Sequence, residues 1–269
     1  MLHFRTLPLG NIPKTKGICP TNRDFTQTGG THLAPTITEN DMTARPIFHQ
    51  LDIPTGADGD TTFPFEMQPI VQIADGRVKA CELLYRGAMP ADWALVDAAM
   101  IGFLSKPRIG LPPLFVNVSD DILMARSVDD FTKVVSANDV TFELSEAITG
   151  YCNRVAIADR VNQMIDVGAR VALDDFGAGR DGLERLYSLR DVAAVKIDRE
   201  FLLACMNRPD ARRMLCMLVA QWRREGIKSI AEGAETEAMF AFAKAADVDL
   251  VQGWFVDTLV GMNLMGEDS

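Results

Sequence analysis

Two adjacent carboxylates follow an apolar stretch in the middle of the chain. The segment Val171-Ala-Leu-Asp-Asp-Phe-Gly-Ala-Gly179 has the pattern of a buried strand that ends at Asp174 and Asp175 and continues into a glycine loop. Neighbouring side chains of a strand point to opposite faces, so a carboxylate on each is costly unless a positive group, usually one or two divalent cations, holds both. Alternatively, one aspartate caps the next helix while the other is solvated.

Polar side chains also lie at or just after the ends of the other predicted strands. In chain order they are Glu82, Arg86, Asn117, Glu143, Lys196, Asp198, Glu232, Glu235 and Gln252. In a parallel barrel, the carboxyl ends of the strands meet at one rim, where active sites lie. Lys196 stands between Val195 and Ile197, so its ammonium needs a partner or an anion. The pattern predicts one polar, mainly acidic site at this rim.

The residue types restrict the metal that such a site could bind. The three histidines, His3, His32 and His49, all lie in the N-terminal segment, and the five cysteines form no Cys-x-x-Cys pair. Carboxylates, lysine or metal-bound water must therefore perform any acid-base chemistry in the rest of the chain. Oxygen ligands favour magnesium, manganese or calcium. We expect Mg²⁺ or Mn²⁺, because calcium holds water too loosely to activate it well.

Composition excludes several classes of protein. Lys and Arg number 27 against 37 Asp and Glu, which gives a net charge of -10 over 269 residues. An acidic surface repels phosphate backbones, so general nucleic-acid binding is not expected. Scattered cysteines fit a reducing compartment, and no apolar run approaches the roughly 18 residues of a membrane span. The composition predicts a cytoplasmic protein that does not bind membranes.

Eight predicted strands position the polar side chains. They cover residues 65–73, 78–85, 114–119, 140–144, 171–175, 192–197, 227–231 and 249–252. Asp75-Gly76 is a hairpin turn signal, so the first two strands should be antiparallel. From the third strand onward, strands alternate with helices, which predicts an α/β fold, a modified (β/α)8 TIM-like barrel with an antiparallel first strand. An open doubly wound sheet is the other candidate, but no Gly-x-Gly-x-x-Gly follows the first strand.

The chain divides into three predicted parts. Residues 1–62 are rich in Thr, Pro, Gly, Asn and Asp and have little periodicity, which predicts a disordered leader. Residues 63–262 form the predicted barrel domain. Residues 263–269 form a short C-terminal tail.

Short motifs occur along the chain in the order typical of one known family. They are Gln68-Pro69, Glu82-Leu-Leu-Tyr-Arg86, Asn117-Val-Ser119, Glu143-Leu-Ser-Glu146, Asp174-Asp-Phe-Gly-Ala-Gly179, Lys196-Ile-Asp-Arg199, Ala231-Glu-Gly-Ala-Glu-Thr236 and Gln252-Gly253. Together they resemble the motifs of EAL domains over about residues 65–257. The resemblance implies a barrel whose first strand is antiparallel and the hydrolysis of cyclic di-GMP to linear pGpG. It is also compatible with a homodimer.

The resemblance further implies roles for individual residues. The metal ligands would be Glu82, Asn117, Glu143, Asp174 and Asp175, with Asp174 shared between two ions. The catalytic residues would be Lys196 and Glu232. The substrate-binding residues would be Gln68, Arg86, Asp198, Glu235 and Gln252, and Glu146 would anchor the glycine loop. Two cations that share a carboxylate would lower the pKa of a bridging water and stabilise both oxygens of an in-line displacement at phosphorus.

The largest departure from the family pattern lies between Arg86 and Asn117. In this stretch the chain is shorter than typical members and lacks a segment that helps to hold a guanine. Two further hypotheses follow from this difference. The chain could be a catalytically inactive EAL-like module that binds cyclic di-GMP or a protein, or a metal-dependent hydrolase of another phosphodiester with a more open pocket.

Overall fold

The computed structural model describes residues 50–55, 62–90, 93–144, 151–179 and 182–266. The strands in this part of the chain are β1 (Gln50–Pro54), β2 (Thr62–Gln72), β3 (Val78–Tyr85), β4 (Leu114–Asn117), β5 (Val140–Leu144), β6 (Arg170–Phe176), β7 (Ala194–Ile197), β8 (Lys228–Ala231) and β9 (Leu250–Val251). The helices are α1 (Trp93–Leu104), α2 (Asp120–Ala125), α3 (Val128–Ala137), α4 (Tyr151–Asp166), α5 (Gly182–Ser188), α6 (Arg199–Asn207), α7 (Pro209–Glu225), α8 (Glu237–Ala245) and α9 (Trp254–Gly266).

Strands β2 to β9 close into a barrel. Each strand from β3 to β8 pairs in parallel with the next, and β2 pairs antiparallel with both β3 and β9. The β2–β9 seam joins only Val71 to Val251 and Gln72 to Leu250. This closure confirms the predicted modified barrel with an antiparallel first strand, and it excludes the open doubly wound sheet.

Strand β1 corrects the predicted boundary of the leader. Residues 50–54 pair antiparallel with the start of β2, from Gln50 opposite Glu66 to Pro54 opposite Thr62, and Ile53 is fully buried. This strand was missed because its pairing depends on β2, which local composition does not reveal. The predicted leader is therefore wrong for residues 50–55, while residues 1–49 and 56–61 lie outside the described part. At the other end, α9 continues into the predicted tail as far as Gly266.

The helices between strands show ordinary start and stop signals. Helix α7 has Pro209 at its first position and ends at Gly226, whose φ of 83° is the left-handed conformation that glycine adopts most easily. Among the described helices, none combines the length and the apolar composition needed to cross a membrane. The cytoplasmic location and the homodimer stay predictions.

Candidate active site

The site residues lie one layer above the apolar interior of the barrel. Six strands each contribute one side chain to a buried apolar cluster, namely Ile70, Ala80, Phe115, Ala172, Ala194 and Ile230, and Leu250 packs against it. Strand side chains alternate between faces, so the residue two positions further along points to the same interior. Those residues, toward the carboxyl ends of the parallel strands, are Glu82, Asn117, Asp174, Lys196, Glu232 and Gln252. Because β2 runs the other way, Gln68 precedes Ile70 by two residues and reaches the same layer.

The ammonium group of Lys196 lies at the centre of this layer. Its side chain is 1% exposed, and Nζ lies 2.6 Å from Glu143 Oε1, 2.7 Å from Glu232 Oε1 and 3.1 Å from both Glu82 Oε2 and Asp174 Oδ1. We call these five residues the carboxylate cluster. The structure therefore brings together both predicted catalytic residues and three predicted metal ligands.

The cluster contains more negative charge than one ammonium can balance. Burial lowers the pKa of Lys196, but the surrounding carboxylates, Glu143 first, raise it well above its usual value. Burial raises the pKa of Glu143 well above its usual range and that of Glu232 to about 8, with Lys196 opposing both. Burial also acts to raise the pKa of Glu82, but the charge of Lys196 and a hydrogen bond from Gln252 outweigh it and leave a lowered value. Such a site stabilises added positive charge.

The donor set fits a divalent cation. Among the described residues, Glu143 Oε2 is buried without a hydrogen-bond partner, an expensive state for a carboxylate oxygen. Carboxylate oxygens of Asp174, Asp175 and Glu232 lie within 4.8 Å of one another. Hard cations such as Mg²⁺ and Mn²⁺ prefer oxygen ligands of this kind.

A local break in strand geometry brings the carboxylates of two neighbouring aspartates close together. The register between β6 and β7 shifts between Leu173 and Phe176, and Asp175 has a φ of 56°, which is left-handed. Regular alternation would send Asp174 and Asp175 to opposite faces, whereas a bulge re-aims the second side chain. Asp is among the few residues that enter the left-handed region at moderate cost. The backbone therefore places oxygens of both carboxylates within 4.8 Å of each other and of Glu232, with Asp175 exposed, and the choice between a cation site and a solvated aspartate stays a prediction.

Amide side chains from neighbouring strand ends hold Glu82 by hydrogen bonds. Gln252 Nε2 donates to Glu82 Oε2 at 2.6 Å and to Gln68 Oε1 at 2.9 Å, and Asn117 Nδ2 donates to Glu82 Oε1 at 2.9 Å. Gln68 Nε2 in turn donates to Asp257 Oδ2 at 2.8 Å. We call this the amide relay; it runs from α9 to Glu82 through the seam between β2 and β9.

Comparison with known proteins places the chain in a family. The sequence model described as "EAL domain" matches residues 100–258, more than half of the chain. The matched region contains Asn117, Glu143, Asp174, Lys196 and Glu232. The chain belongs to the EAL domain family.

Several EAL relatives are similar over part of their length. The cyclic di-GMP phosphodiesterase NbdA of Pseudomonas aeruginosa is 24% identical over 72% of this chain and 28% of its own length. The oxygen sensor protein DosP of Escherichia coli is 26% identical over 61% of this chain and 21% of its own length. The chain thus spans less than a third of either relative.

A solved EAL structure shares the fold. Klebsiella pneumoniae BlrP1, in a complex with manganese and cyclic di-GMP, superposes with a TM-score of 0.59. The two sequences are 22% identical, and the match covers 77% of this chain and 58% of BlrP1. At this identity the likeness shows the fold alone.

The remaining predicted EAL site residues have other partners. Arg86 Nε donates to Glu66 Oε2 at 2.8 Å, and Glu235 Oε2 accepts from Arg199 Nη2 at 2.7 Å. Asp198 caps α6, where its carboxylate accepts from the backbone N–H of Phe201. Their contacts with substrate stay predictions, and Glu146 lies outside the described residues.

A cavity of about 530 Å³ opens beside the amide relay. Its lining consists of Gln68, Glu82, Leu84, Glu232, Gly233, Glu235, Gln252, Gly253 and Trp254. No described residue between 87 and 116 contributes to this lining. We call Leu84, Glu235 and Trp254 the outer wall, because they surround the cavity above the carboxylate cluster.

Sequence reasoning missed two residues of this site. Trp254 lines the cavity, and Asp257 is only 2% exposed although it carries a carboxylate. The signal for Asp257 was present, since an acidic residue in the apolar run Trp254-Phe-Val-Asp257 needs a buried partner just as Lys196 does.

Proposed function

We propose that this EAL domain is a metal-dependent phosphodiesterase that hydrolyses cyclic di-GMP to linear pGpG. The observation that carries the proposal is the carboxylate cluster, whose acidic groups outnumber the single ammonium among them. A purely structural core gains little from so many buried charges, because their desolvation offsets their attraction. A site that binds cations and a phosphodiester would use all of these charged side chains.

The described side chains offer ligands for two ions. Glu82, Asn117, Glu143 and Asp174 would hold one Mg²⁺ or Mn²⁺, and Asp174 with Asp175 would serve a second. When bound, such ions make water nucleophilic and stabilise charge on the attacking and leaving oxygens. Asp174 would belong to both sets of ligands, and the bulge at Asp175 keeps the second carboxylate within 4.8 Å of it.

Two residues of the cluster would handle charge and protons. Glu232, whose pKa is raised to about 8 by burial against the charge of Lys196, suits a general base that accepts a proton from the attacking water near neutral pH. The ammonium of Lys196 is fixed by four carboxylates and would face the phosphoryl oxygens as negative charge develops on them. The residue for proton transfer, Glu232 directly after β8, and the residue for charge stabilisation, Lys196 on β7, would therefore come from adjacent strands.

The outer wall and the relay would position the nucleotide. Leu84 and Trp254 give the cavity apolar surface against which a base can pack, while Gln68 and Gln252 supply amides at its floor. Arg86 would have to leave Glu66 before it could pair with a phosphate.

Turnover tests the proposal directly. Purified protein is incubated with cyclic di-GMP and Mg²⁺ or Mn²⁺, and the nucleotides are separated by chromatography. We expect pGpG from the wild type and from Asp75→Asn, which removes an exposed carboxylate in the β2–β3 turn. Glu82→Ala should yield none. Absence of turnover by wild type with either metal, with an unchanged circular dichroism spectrum, would contradict the proposal.

A binding module without turnover is the second candidate. The observation in its favour is that no described residue of 87–116 lines the cavity, so this segment supplies no described contact to a nucleotide bound there. Equilibrium dialysis with cyclic di-GMP separates the two functions. Tight nucleotide binding with no pGpG under either metal favours the module, and cleavage of a simpler diester with no binding of cyclic di-GMP favours another phosphodiester as substrate.

A further inference from the structure

We propose that Asp257 is a positioning residue that fixes the direction of the hydrogen bonds reaching Glu82. Asp257 lies in the first turn of α9, is 2% exposed, and accepts from Gln68 Nε2 at 2.8 Å. It does not line the cavity. The inference deepens the proposed function, because it rests on Glu82 as a metal ligand.

The relay has carboxylates at both of its ends. An ionised carboxylate only accepts hydrogen bonds, whereas a glutamine amide donates from nitrogen and accepts at oxygen. Asp257 therefore takes the nitrogen of Gln68 and leaves Gln68 Oε1 as an acceptor for Gln252 Nε2 at 2.9 Å. The same Gln252 nitrogen then donates to Glu82 Oε2 at 2.6 Å. Each amide has one orientation that satisfies its neighbours; Asp257 fixes that of Gln68, which agrees with the orientation of Gln252 that Glu82 requires.

The opposite orientation would damage the metal site. If Gln252 turned its amide over, its carbonyl oxygen would face Glu82 Oε2 in place of a donor, and two acceptors at 2.6 Å repel each other. Glu82 would lose one of the donors that hold it, leaving Lys196 and Asn117. In the observed orientation, Gln252 Oε1 is buried, lies in a residue that lines the cavity, and has no hydrogen-bond partner among the described residues.

The backbone before Asp257 places α9 firmly. Gly253 has a φ of 144°, and a Cβ there would lie 2.3 Å from the backbone nitrogen of Ala234, so no other residue fits without a shift. Phe255 N–H donates to Ala234 O, and Asp257 N–H donates to Gly253 O. The first turn of α9 is thus fixed against the segment after β8, which brings the carboxylate of Asp257 to Gln68.

The test is the affinity for Mn²⁺, measured without nucleotide. Asp257→Asn introduces an amide that can donate to Gln68 Oε1, so the relay can run backwards. We expect Mn²⁺ affinity to fall by about 10–100-fold, the usual effect of losing a residue that orients a ligand. The matched control is Asp249→Asn, another partly buried aspartate, whose carboxylate accepts from Ser229 N and Oγ at the start of β8. This control should lower the unfolding temperature without changing Mn²⁺ affinity.

A charge-conserving double variant separates positioning from general support. Asp257→Asn combined with Gln68→Glu exchanges the acid and the amide. The new amide then donates to the new carboxylate, which again accepts from Gln252 Nε2, so most of the Mn²⁺ affinity should return. Wild-type affinity in Asp257→Asn, or no recovery in the double variant, would overturn the positioning role. A wild type that binds Mn²⁺ but yields no pGpG would overturn only the phosphodiesterase, and one that binds no Mn²⁺ would overturn both.

Discussion

The carboxylate cluster and the outer wall of the cavity are built differently. The cluster comes from the ends of five strands, is almost fully buried, and is joined by ion pairs of 2.6–3.1 Å. The outer wall comes from fewer elements, lacks any described residue of 87–116, and includes Glu235, which Arg199 holds. Strand ends cannot change without disturbing the barrel core, whereas loops can shorten freely. We therefore expect the carboxylate cluster to vary less among related chains than Glu235 and Trp254, the outer-wall residues that lie outside the strands.

The largest effect should come from removing the positive centre of the cluster. Lys196→Met leaves four carboxylates without the ammonium they share, so we expect about 3–5 kcal/mol less stability toward unfolding in metal-free buffer and loss of turnover. Added Mn²⁺ should raise the unfolding temperature more in this variant than in wild type. Lys228→Met is the control: this exposed lysine pairs with Asp249, the residue before β9, and its loss should cost less than about 1 kcal/mol. Equal losses of stability in both variants would contradict the expected large contribution of Lys196 to the stability of the carboxylate cluster.

A smaller effect, confined to the wall, should follow Trp254→Ala. Stacking of a base on an aromatic ring contributes about 1–3 kcal/mol, so nucleotide affinity should fall by about 5–150-fold while Mn²⁺ affinity stays unchanged. Trp254→Phe should keep most of the affinity. Trp93→Ala, which removes a half-exposed ring packed on Tyr85 outside the cavity, is the control. Calorimetric titration with cyclic di-GMP measures the nucleotide affinity of all three variants. Unchanged affinity in Trp254→Ala would contradict a role of the outer wall in binding a base.

The smallest effects should come from the ion pair at the edge of the site. If Arg86 leaves Glu66 to pair with a phosphate, Arg86→Met should weaken nucleotide binding by less than about tenfold. The effect is small because the free energy gained from the phosphate is partly offset by the loss of the ion pair with Glu66. Glu66→Gln should have the opposite sign and tighten binding. Either change should alter stability by under about 1 kcal/mol. Effects of the same sign on nucleotide affinity would show that the pair acts as a structural unit.

The barrel was predictable because its signals are local or strictly periodic. All eight barrel strands were expected from apolar runs, the first hairpin from Asp75-Gly76, and the shared rim from the polar residue that ends each strand. The two-residue period of a strand then brings Lys196 and its carboxylates into one layer without further information.

What escaped prediction depends on contacts between distant segments. Strand β1 exists only through its pairing with β2. Helix α6 is an exception, because its signal is local: the cap residue Asp198 directly follows β7. The pairing of Arg86 with Glu66 joins two strands across the hairpin and has no signature in spacing. The left-handed backbone of Asp175 depends on the register of β7.

Selection for stability and selection for turnover should favour different residues at position 175. A left-handed residue that is not glycine costs about 1–2 kcal/mol, so a library randomised at this position and screened for thermal stability alone should enrich Gly and Asn. The same library screened for turnover should return Asp, because the carboxylate supplies an oxygen beside Asp174 and Glu232. In a chain that is no longer selected for turnover, Gly or Asn should replace Asp175 early. The residue at position 175 should therefore distinguish chains that are still selected for turnover from chains that are not.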